Sequence, residues 1–143
     1  MSKFAETLKE YMSEAGYNES SLAKATGILN TSISNFLLDV SLPSYDALVS
    51  LLYAFNCSAD YLLGLKDIPT EEPLHPVLPF SERLRSLMKS RRVTQNKLKE
   101  EGKISTSVQH KWLSGKNNPS VESLIHLAEF FDCSVDYLIG RVR

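Results

Sequence analysis

The sequence predicts an all-α protein made of two tandem five-helix domains, residues 1–66 and 80–143, joined by a Pro-rich linker at residues 67–79. Three observations lead to this prediction. The two halves of the chain match each other at a constant offset of 76 residues. Apolar residues recur at helical spacing, and no segment shows the sustained alternation that is typical of strands. The linker contains Pro69, Pro73, Pro76 and Pro79, a spacing that excludes a helix.

The repeat runs through both halves without a gap. Phe4 matches Phe80 near the start of each half, and Leu22 matches Leu98 further along. Near the end, the string CSADYLLG that begins at residue 57 matches CSVDYLIG that begins at residue 133. Self-similarity at one fixed offset indicates duplication of a unit of roughly 60 residues.

Five short helices are predicted in each repeat. The first has apolar residues at positions i, i+4, i+7 and i+8, which lie on one face of a helix. The fourth follows a Pro-Ser pair whose serine can accept hydrogen bonds from the first turn, and the fifth begins at a similar serine and ends near a glycine. The predicted serine caps are Ser44, Ser58, Ser120 and Ser134.

Helices two and three of the second repeat are predicted to form a helix-turn-helix within Thr94–Ser120. The hydroxyl of Thr94 can cap helix two. Gly102 can break this helix, and either Ser105 or Thr106 can cap helix three. A glycine and a cation after the tryptophan then end helix three, since glycine tolerates positive φ and a cation stabilises the negative end of the helix dipole.

Two observations disagree about which residues of this third helix face inwards. Val108 and Trp112 fall four positions apart, which places them on one face. Gln109, however, matches Ile33 of the first repeat, which is predicted to be buried. We therefore expect a local shift of register in which Val108 takes the buried place, and either Gln109 or His110 then faces outwards.

Charge differs strongly between the two repeats. The whole chain has a formal net charge of −1. Residues 1–66 carry four lysines and seven acidic side chains, and the linker adds three acidic ones. Residues 80–143 carry twelve cationic and seven acidic side chains, a net charge of +5. Because attraction to phosphate is the sequence-independent part of DNA affinity, the second repeat is the better suited to bind DNA.

The ordered motifs of each repeat resemble those of the Cro/CI-type (XRE) helix-turn-helix repressors. In the second repeat they are TQ-x-x-L, a glycine and an isoleucine at the corner, a capped helix that ends in WLSGK, then PS and CSVDYLIG. The resemblance covers nearly the whole chain. It implies two lambda-repressor-like domains, and a bacterial or phage regulator of transcription in which the third helix reads the major groove.

The resemblance also implies which side chains contact DNA. Amides, hydroxyls and lysine suit the base edges of the major groove. The implied reading positions are Thr106, Ser107 and Lys111 in the second repeat, and Asn30, Thr31 and Asn35 in the first. Ser34 can also read bases, and His110 either contacts DNA or is a solvated surface residue. The implied backbone contacts are Gln95, Lys116, Asn117 and Asn118.

The first repeat departs from this pattern at two places. Glu19 replaces the phosphate-contacting glutamine, and its carboxylate would repel a phosphate. After the third helix, Leu38, Val40 and Leu42 stand where the second repeat has polar or charged residues. Exposed apolar residues in a loop often mark an interaction surface. We expect the first repeat to be weakened for DNA binding and available for dimerisation or for another protein.

Two functions remain open on these grounds. The first is a repressor-like regulator that binds double-stranded DNA, as a homodimer or as an intramolecular pseudo-dimer of the two repeats. The alternative is a protein-interaction module, antitoxin-like or anti-repressor, that keeps the helix-turn-helix scaffold without binding an operator.

Other classes of function lack a supporting pattern. The motifs provide no nucleophile with its base, no metal-ligand spacing and no phosphate-binding loop, so we expect no enzymatic activity, cofactor or small-molecule ligand. Cys57 and Cys133 are expected to pack as small apolar side chains. No apolar run has membrane-spanning length and the N-terminus lacks a signal sequence, which predicts a cytoplasmic protein without a membrane partner.

Overall fold

A computed structural model describes residues 2–143 and divides them into two compact units. The division falls between Leu74 and His75, and we call the two parts the first unit and the second unit. The first unit contains α1 (Lys3–Ala15), α2 (Glu19–Thr26), α3 (Asn30–Leu37), α4 (Tyr45–Phe55) and α5 (Ala59–Leu62). The second unit contains α6 (Phe80–Ser90), α7 (Gln95–Glu100), α8 (Thr106–Leu113), α9 (Val121–Phe131) and α10 (Val135–Leu138).

All regular secondary structure in residues 2–143 is helical, so the all-α prediction is confirmed. Helices α8, α9 and α10 begin and end 76 residues after α3, α4 and α5, the same offset that relates the sequences. Helix α7 is two residues shorter than α2. Among the described residues, no helix is long and apolar enough to cross a lipid bilayer.

The predicted caps form as local hydrogen bonds. The hydroxyl of Thr94 accepts from the backbone N–H of Lys97 at the start of α7, and Ser105 rather than Thr106 accepts from the N–H of Val108 at the start of α8. The four predicted serine caps each accept from the N–H three residues on: Ser44, Ser58, Ser120 and Ser134. These caps satisfy N–H groups that a helix leaves without partners.

An aromatic contact in each unit packs the third helix against the first. The rings of Phe80 in α6 and Trp112 in α8 meet edge to face, with centroids 6.0 Å apart. Phe4 in α1 and Phe36 in α3 make the matching contact at 5.8 Å. All four side chains are buried, so α3 and α8 are held on the cores of their units through one face only.

The corner between α7 and α8 keeps the register of the first unit. Lys103 has a φ of 59°, and it aligns with Gly27, whose φ is 75°. Gly102 is buried and does not have a positive φ. It is a glycine for a steric reason, because a Cβ there would lie 2.6 Å from the carbonyl oxygen of Leu98, which is too close. The expected shift of register is therefore wrong, because Lys103 takes the left-handed conformation at the aligned position.

Part of the segment predicted as a linker is bonded to the second unit. The N–H of His75 donates to the carbonyl of Arg141 at 2.7 Å, and the N–H of Leu78 donates to the carbonyl of Ile139 at 3.0 Å. The guanidinium of Arg141 donates back to the carbonyl of His75 at 2.9 Å. Residues 75–78 thus lie along the C-terminal residues, and a fragment that begins at residue 80 would lose these bonds.

The left-handed corner leads to a matched pair of stability predictions. Lys103→Gly should raise the free energy of unfolding of the second unit by about 1 kcal/mol, because glycine adopts positive φ without a steric penalty. Lys99→Gly also replaces a lysine by glycine, but inside α7. It should lower the free energy of unfolding by up to about 1 kcal/mol, because glycine disfavours the helix. Urea unfolding followed by the fluorescence of Trp112, the single tryptophan, measures both. A loss of stability in Lys103→Gly would contradict the assigned corner.

Candidate nucleic-acid interface

The outer face of α8 is polar. Ser107, His110 and Lys111 are exposed and Thr106 is half-buried, whereas Gln109 and Trp112 point into the unit. The four outward side chains supply two hydroxyls, an imidazole and an ammonium group, which together can donate to and accept from a partner. All four were assigned from the sequence as reading positions or possible DNA contacts, and the structure brings them onto one side of a two-turn helix.

Gln109 determines which side of α8 faces outwards. Its side chain is 0% exposed, and its Nε2 donates to the carbonyl of Gln95 at 3.0 Å and to the carbonyl of Ile104 at 2.9 Å. These bonds join α8 to the first residue of α7 and to the corner. A glutamine can occupy a core position when its N–H groups find acceptors.

The burial of Gln109 corrects the prediction for Val108. That side chain is 36% exposed and lies on the outer surface of α8 instead of taking the buried place. The four-residue spacing of the apolar side chains was misleading, because a hydrogen-bonded amide fills the position that Ile33 fills in the first unit. Of the two residues left open, His110 is the one that faces outwards.

The predicted backbone contacts lie at the two ends of the helix-turn-helix. Gln95 is exposed at the start of α7. The loop after α8 is held against that helix by the N–H of Asn117, which donates to the carbonyl of Lys111 at 3.2 Å. Lys116, Asn117 and Asn118 are all exposed in this loop. Exposed donors on either side of a polar helix suit contacts with two stretches of a phosphate backbone.

Most cationic side chains of the second unit are either lysines exposed in the helix-turn-helix or arginines that bond to the unit's own backbone. Five lysines between residues 95 and 118 are exposed: Lys97, Lys99, Lys103, Lys111 and Lys116. Four arginines instead donate to backbone carbonyls of their own unit: Arg83, Arg85, Arg91 and Arg141. Arg83 also lies over the ring of Tyr137, 5.0 Å from its centroid. The lysines of the helix-turn-helix are therefore exposed to an external anion, although the ammonium group of Lys97 lies 3.9 Å from the carboxylate of Glu101.

The matching face of the first unit carries a carboxylate. Asn30, Thr31 and Asn35 are exposed on α3, but the half-buried Ser34 donates its hydroxyl to the carboxylate of Glu19 at 2.5 Å. These side chains line a shallow groove of about 620 Å³. The Ser34 hydroxyl is engaged within the unit, and the negative charge of Glu19 lies beside the three side chains that were predicted to read bases.

Exposed apolar side chains lie at both ends of α3. We define the apolar surface as Leu29, Leu38, Val40 and Leu42, which are 72%, 71%, 67% and 38% exposed. The sequence reading missed Leu29. A comparison with Ser105, the aligned residue that caps α8, could have found it, because a leucine at that position forms no side-chain cap.

A groove of about 380 Å³ opens beside the apolar surface. Leu29 and Leu42 line it together with Ile28, Phe36 and polar residues that include four serines. Asp39 lies between Leu38 and Val40 in the chain, and hydrogen bonding from Ser2 holds the pKa of its carboxyl below the usual value. The surface is thus apolar with an ionised carboxylate at its edge, which is unsuited to a phosphate backbone.

Comparison with known families agrees with this geometry in the second unit. Residues 84–138 match the helix-turn-helix family model HTH_3. These residues form a helix-turn-helix domain. The match spans α7 and α8 with most of α6, all of α9 and all of α10, and so includes the helix-turn-helix and the helices that support it.

Two curated relatives share part of their sequence with this chain. The HTH-type transcriptional activator BcrR of Enterococcus faecalis is 36% identical over 63 residues, which are 44% of this chain and 31% of the relative. The HTH-type transcriptional regulator ImmR of Bacillus subtilis (strain 168) is 38% identical over 61 residues, 43% of this chain and 48% of the relative. The chain therefore spans about a third and about half of these relatives. No solved structure matches it.

The role of Gln109 as an anchor is testable through stability. Gln109→Ala should lower the free energy of unfolding by about 2–3 kcal/mol, because it removes two hydrogen bonds and leaves a cavity. Gln109→Ile should lower the free energy of unfolding by less than Gln109→Ala does. Isoleucine occupies the aligned position in the first unit, and the change also removes the buried Oε1 of Gln109, which has no hydrogen-bond partner among the described residues.

The control for this pair is His110→Ala. Its free energy of unfolding should stay within about 0.5 kcal/mol of that of the wild type, because the imidazole is exposed. Trp112 fluorescence during urea unfolding reports all three variants. Equal stability of Gln109→Ala and His110→Ala would mean that Gln109 does not anchor the helix.

Proposed function

We propose that the protein is a DNA-binding regulator of transcription, repressor-like in action, whose second unit reads duplex DNA with α8. The observation that carries the proposal is the polar outer face of α8, fixed by the buried Gln109 within a domain that matches a helix-turn-helix family. The names of the two partial relatives, a transcriptional activator and a transcriptional regulator, support the same class of function. In this proposal the protein acts by binding and not by catalysis.

Each exposed side chain of the second unit then has a role that its chemistry supports. Thr106, Ser107 and Lys111 contact base edges in the major groove, where hydroxyls pair with several bases and lysine pairs with guanine. His110 lies one residue from Lys111 and contacts either a base or a phosphate. The contacts that position the protein on the phosphates come from Gln95 and the loop residues Lys116, Asn117 and Asn118.

We further propose that the two units are tandem copies of one domain with different roles. The helix bounds and the offset of 76 residues support a duplication. Asn30, Thr31 and Asn35 retain the chemistry to read bases, yet Glu19 places a carboxylate beside them. The first unit therefore contributes less to DNA affinity. Paired half-sites would be bound by a homodimer, or by both units of one chain acting as a pseudo-dimer.

The assignment of α8 predicts an asymmetry between the units. Gln95→Ala combined with Lys111→Ala should weaken binding to a selected DNA site by tenfold or more and reduce its salt dependence, because a phosphate contact and a base contact are lost together. The matched control is Glu19→Ala combined with Asn35→Ala, at the aligned positions of the first unit. Mobility shift at several fixed salt concentrations measures both variants.

The control pair should leave affinity within a factor of about two, or raise it, since it removes a carboxylate. Unchanged affinity in the Gln95→Ala and Lys111→Ala variant, with a large loss in the control pair, would move the reading helix to the first unit. Binding by neither the wild type nor any variant would reject the function itself.

A second candidate function is supported by the apolar surface of the first unit. Four exposed apolar side chains flank α3, where the aligned residues of the second unit are Ser105, Ser114, Lys116 and Asn118. Burial of such a surface stabilises association with a protein. The protein would then be an interaction module, antitoxin-like or anti-repressor, on a helix-turn-helix scaffold. Absence of salt-sensitive DNA binding would favour this candidate over the first.

The apolar surface also predicts the effect of exchanging its residues for those of the second unit. Leu38→Ser, Val40→Lys and Leu42→Asn together should abolish self-association of the chain, because the apolar area that would be buried is replaced by polar groups. Ile68→Ser is the control, an exposed apolar residue of the first unit outside the apolar surface. Light scattering over a range of protein concentrations measures the mass. Identical masses for the wild type and the triple variant would exclude this surface as a dimer contact.

A further inference from the structure

The second unit exposes a single large apolar side chain in the part of the chain that the structure describes, and that side chain is on α8. Val108 is 36% exposed, whereas the other exposed large apolar residues all lie in the first unit, between Leu29 and Ile68. An isolated apolar residue on a surface is ordinary. This one, however, lies at the edge of the polar helix face that we assign to DNA.

The position of Val108 on α8 follows from the burial of its neighbours. Gln109 and Trp112 point into the unit, so the next positions around the helix on either side form the edges of the outer face. Val108 occupies one such edge, and Lys111 is its neighbour one turn along. Val108 is the third residue of α8 and so lies in its first turn, directly after the exposed Ser107 in the chain.

We propose that Val108 contacts the 5-methyl group of a thymine in the major groove and so selects thymine at one position of the DNA site. The inference rests on the proposed function, since it requires α8 to lie in the groove. The inference assigns a base preference to Val108, which is not among the polar residues proposed above to contact DNA.

The chemistry of the groove favours this partner over others. The base edges offer donors and acceptors, which a branched aliphatic side chain cannot satisfy, and one apolar group, the methyl of thymine. A valine placed against a phosphate or against an amino group would desolvate it without a compensating hydrogen bond. The side chain of Val108 has no hydrogen-bonding group, and the polar contacts on this helix would come from Ser107 and Lys111.

The first unit does not repeat this feature. Its aligned residue is Ser32, which is half-buried on α3. The preference for a thymine methyl is therefore assigned to the second unit alone, and Val108→Ser converts the position to the residue type of the first unit.

The experiment begins with a DNA site selected from a random pool by the full chain. Each thymine of that site is replaced in turn by uracil, which lacks only the methyl group, and affinity is measured by mobility shift at one fixed salt concentration. For the wild type, one replacement should weaken binding about fourfold, the loss that corresponds to one buried methyl group. Val108→Ser should bind the thymine and uracil sites with equal affinity, and Val108→Ala, which keeps a shorter apolar side chain, should give a ratio smaller than that of the wild type.

Ser107→Ala provides the matched comparison on the same helix face. It should weaken binding to both sites and keep the fourfold ratio between them. The inference is overturned if no thymine of the selected site is sensitive to loss of its methyl, or if the Val108 variants remain as sensitive as the wild type. Enrichment of no sequence at all would reject the proposed function, and the inference with it.

Discussion

The two hydrogen bonds from the Gln109 side chain fix the rotation of α8 about its own axis, and the surface chemistry of the second unit depends on that rotation. Both acceptors are backbone carbonyls, those of Gln95 and Ile104, so the bonds join α8 to the start of α7 and to the corner. The aromatic contact of Trp112 with Phe80 anchors the last turn of the same helix. With both turns held, the polar residues and Val108 have no freedom to exchange places with the buried ones.

One scaffold thus carries two different surfaces. Aligned positions around the third helix are leucine or valine in the first unit and serine, lysine or asparagine in the second. Glu19 and Gln95 differ in the same sense, with a carboxylate in the first unit and a neutral amide in the second. Because α3, α4 and α5 have the same bounds as α8, α9 and α10 at the offset of 76 residues, these differences change the exposed surface of each unit more than its helices.

Much of this organisation was predictable because it depends on local chemistry. Caps such as Thr94 and Ser120 bond to N–H groups three residues away, and the offset between the repeats was visible in the sequence itself. The orientation of α8 was not predictable from spacing, because the burial of Gln109 depends on carbonyls that the fold brings to it. Lys103 at the corner and the pairing of residues 75–78 with residues 139–141 escaped prediction for the same reason.

The central claim is that the exposed face of α7 and α8 contributes more to DNA binding than the matching face of the first unit. Backbone amide signals of the ¹⁵N-labelled full chain, followed while a duplex of random sequence is added at low salt, test it without knowledge of the target site. We expect the shifts to concentrate in residues 95–118 and to reverse as salt is raised. Shifts that concentrate instead in residues 19–42, or no salt-sensitive shifts at all, would contradict the account.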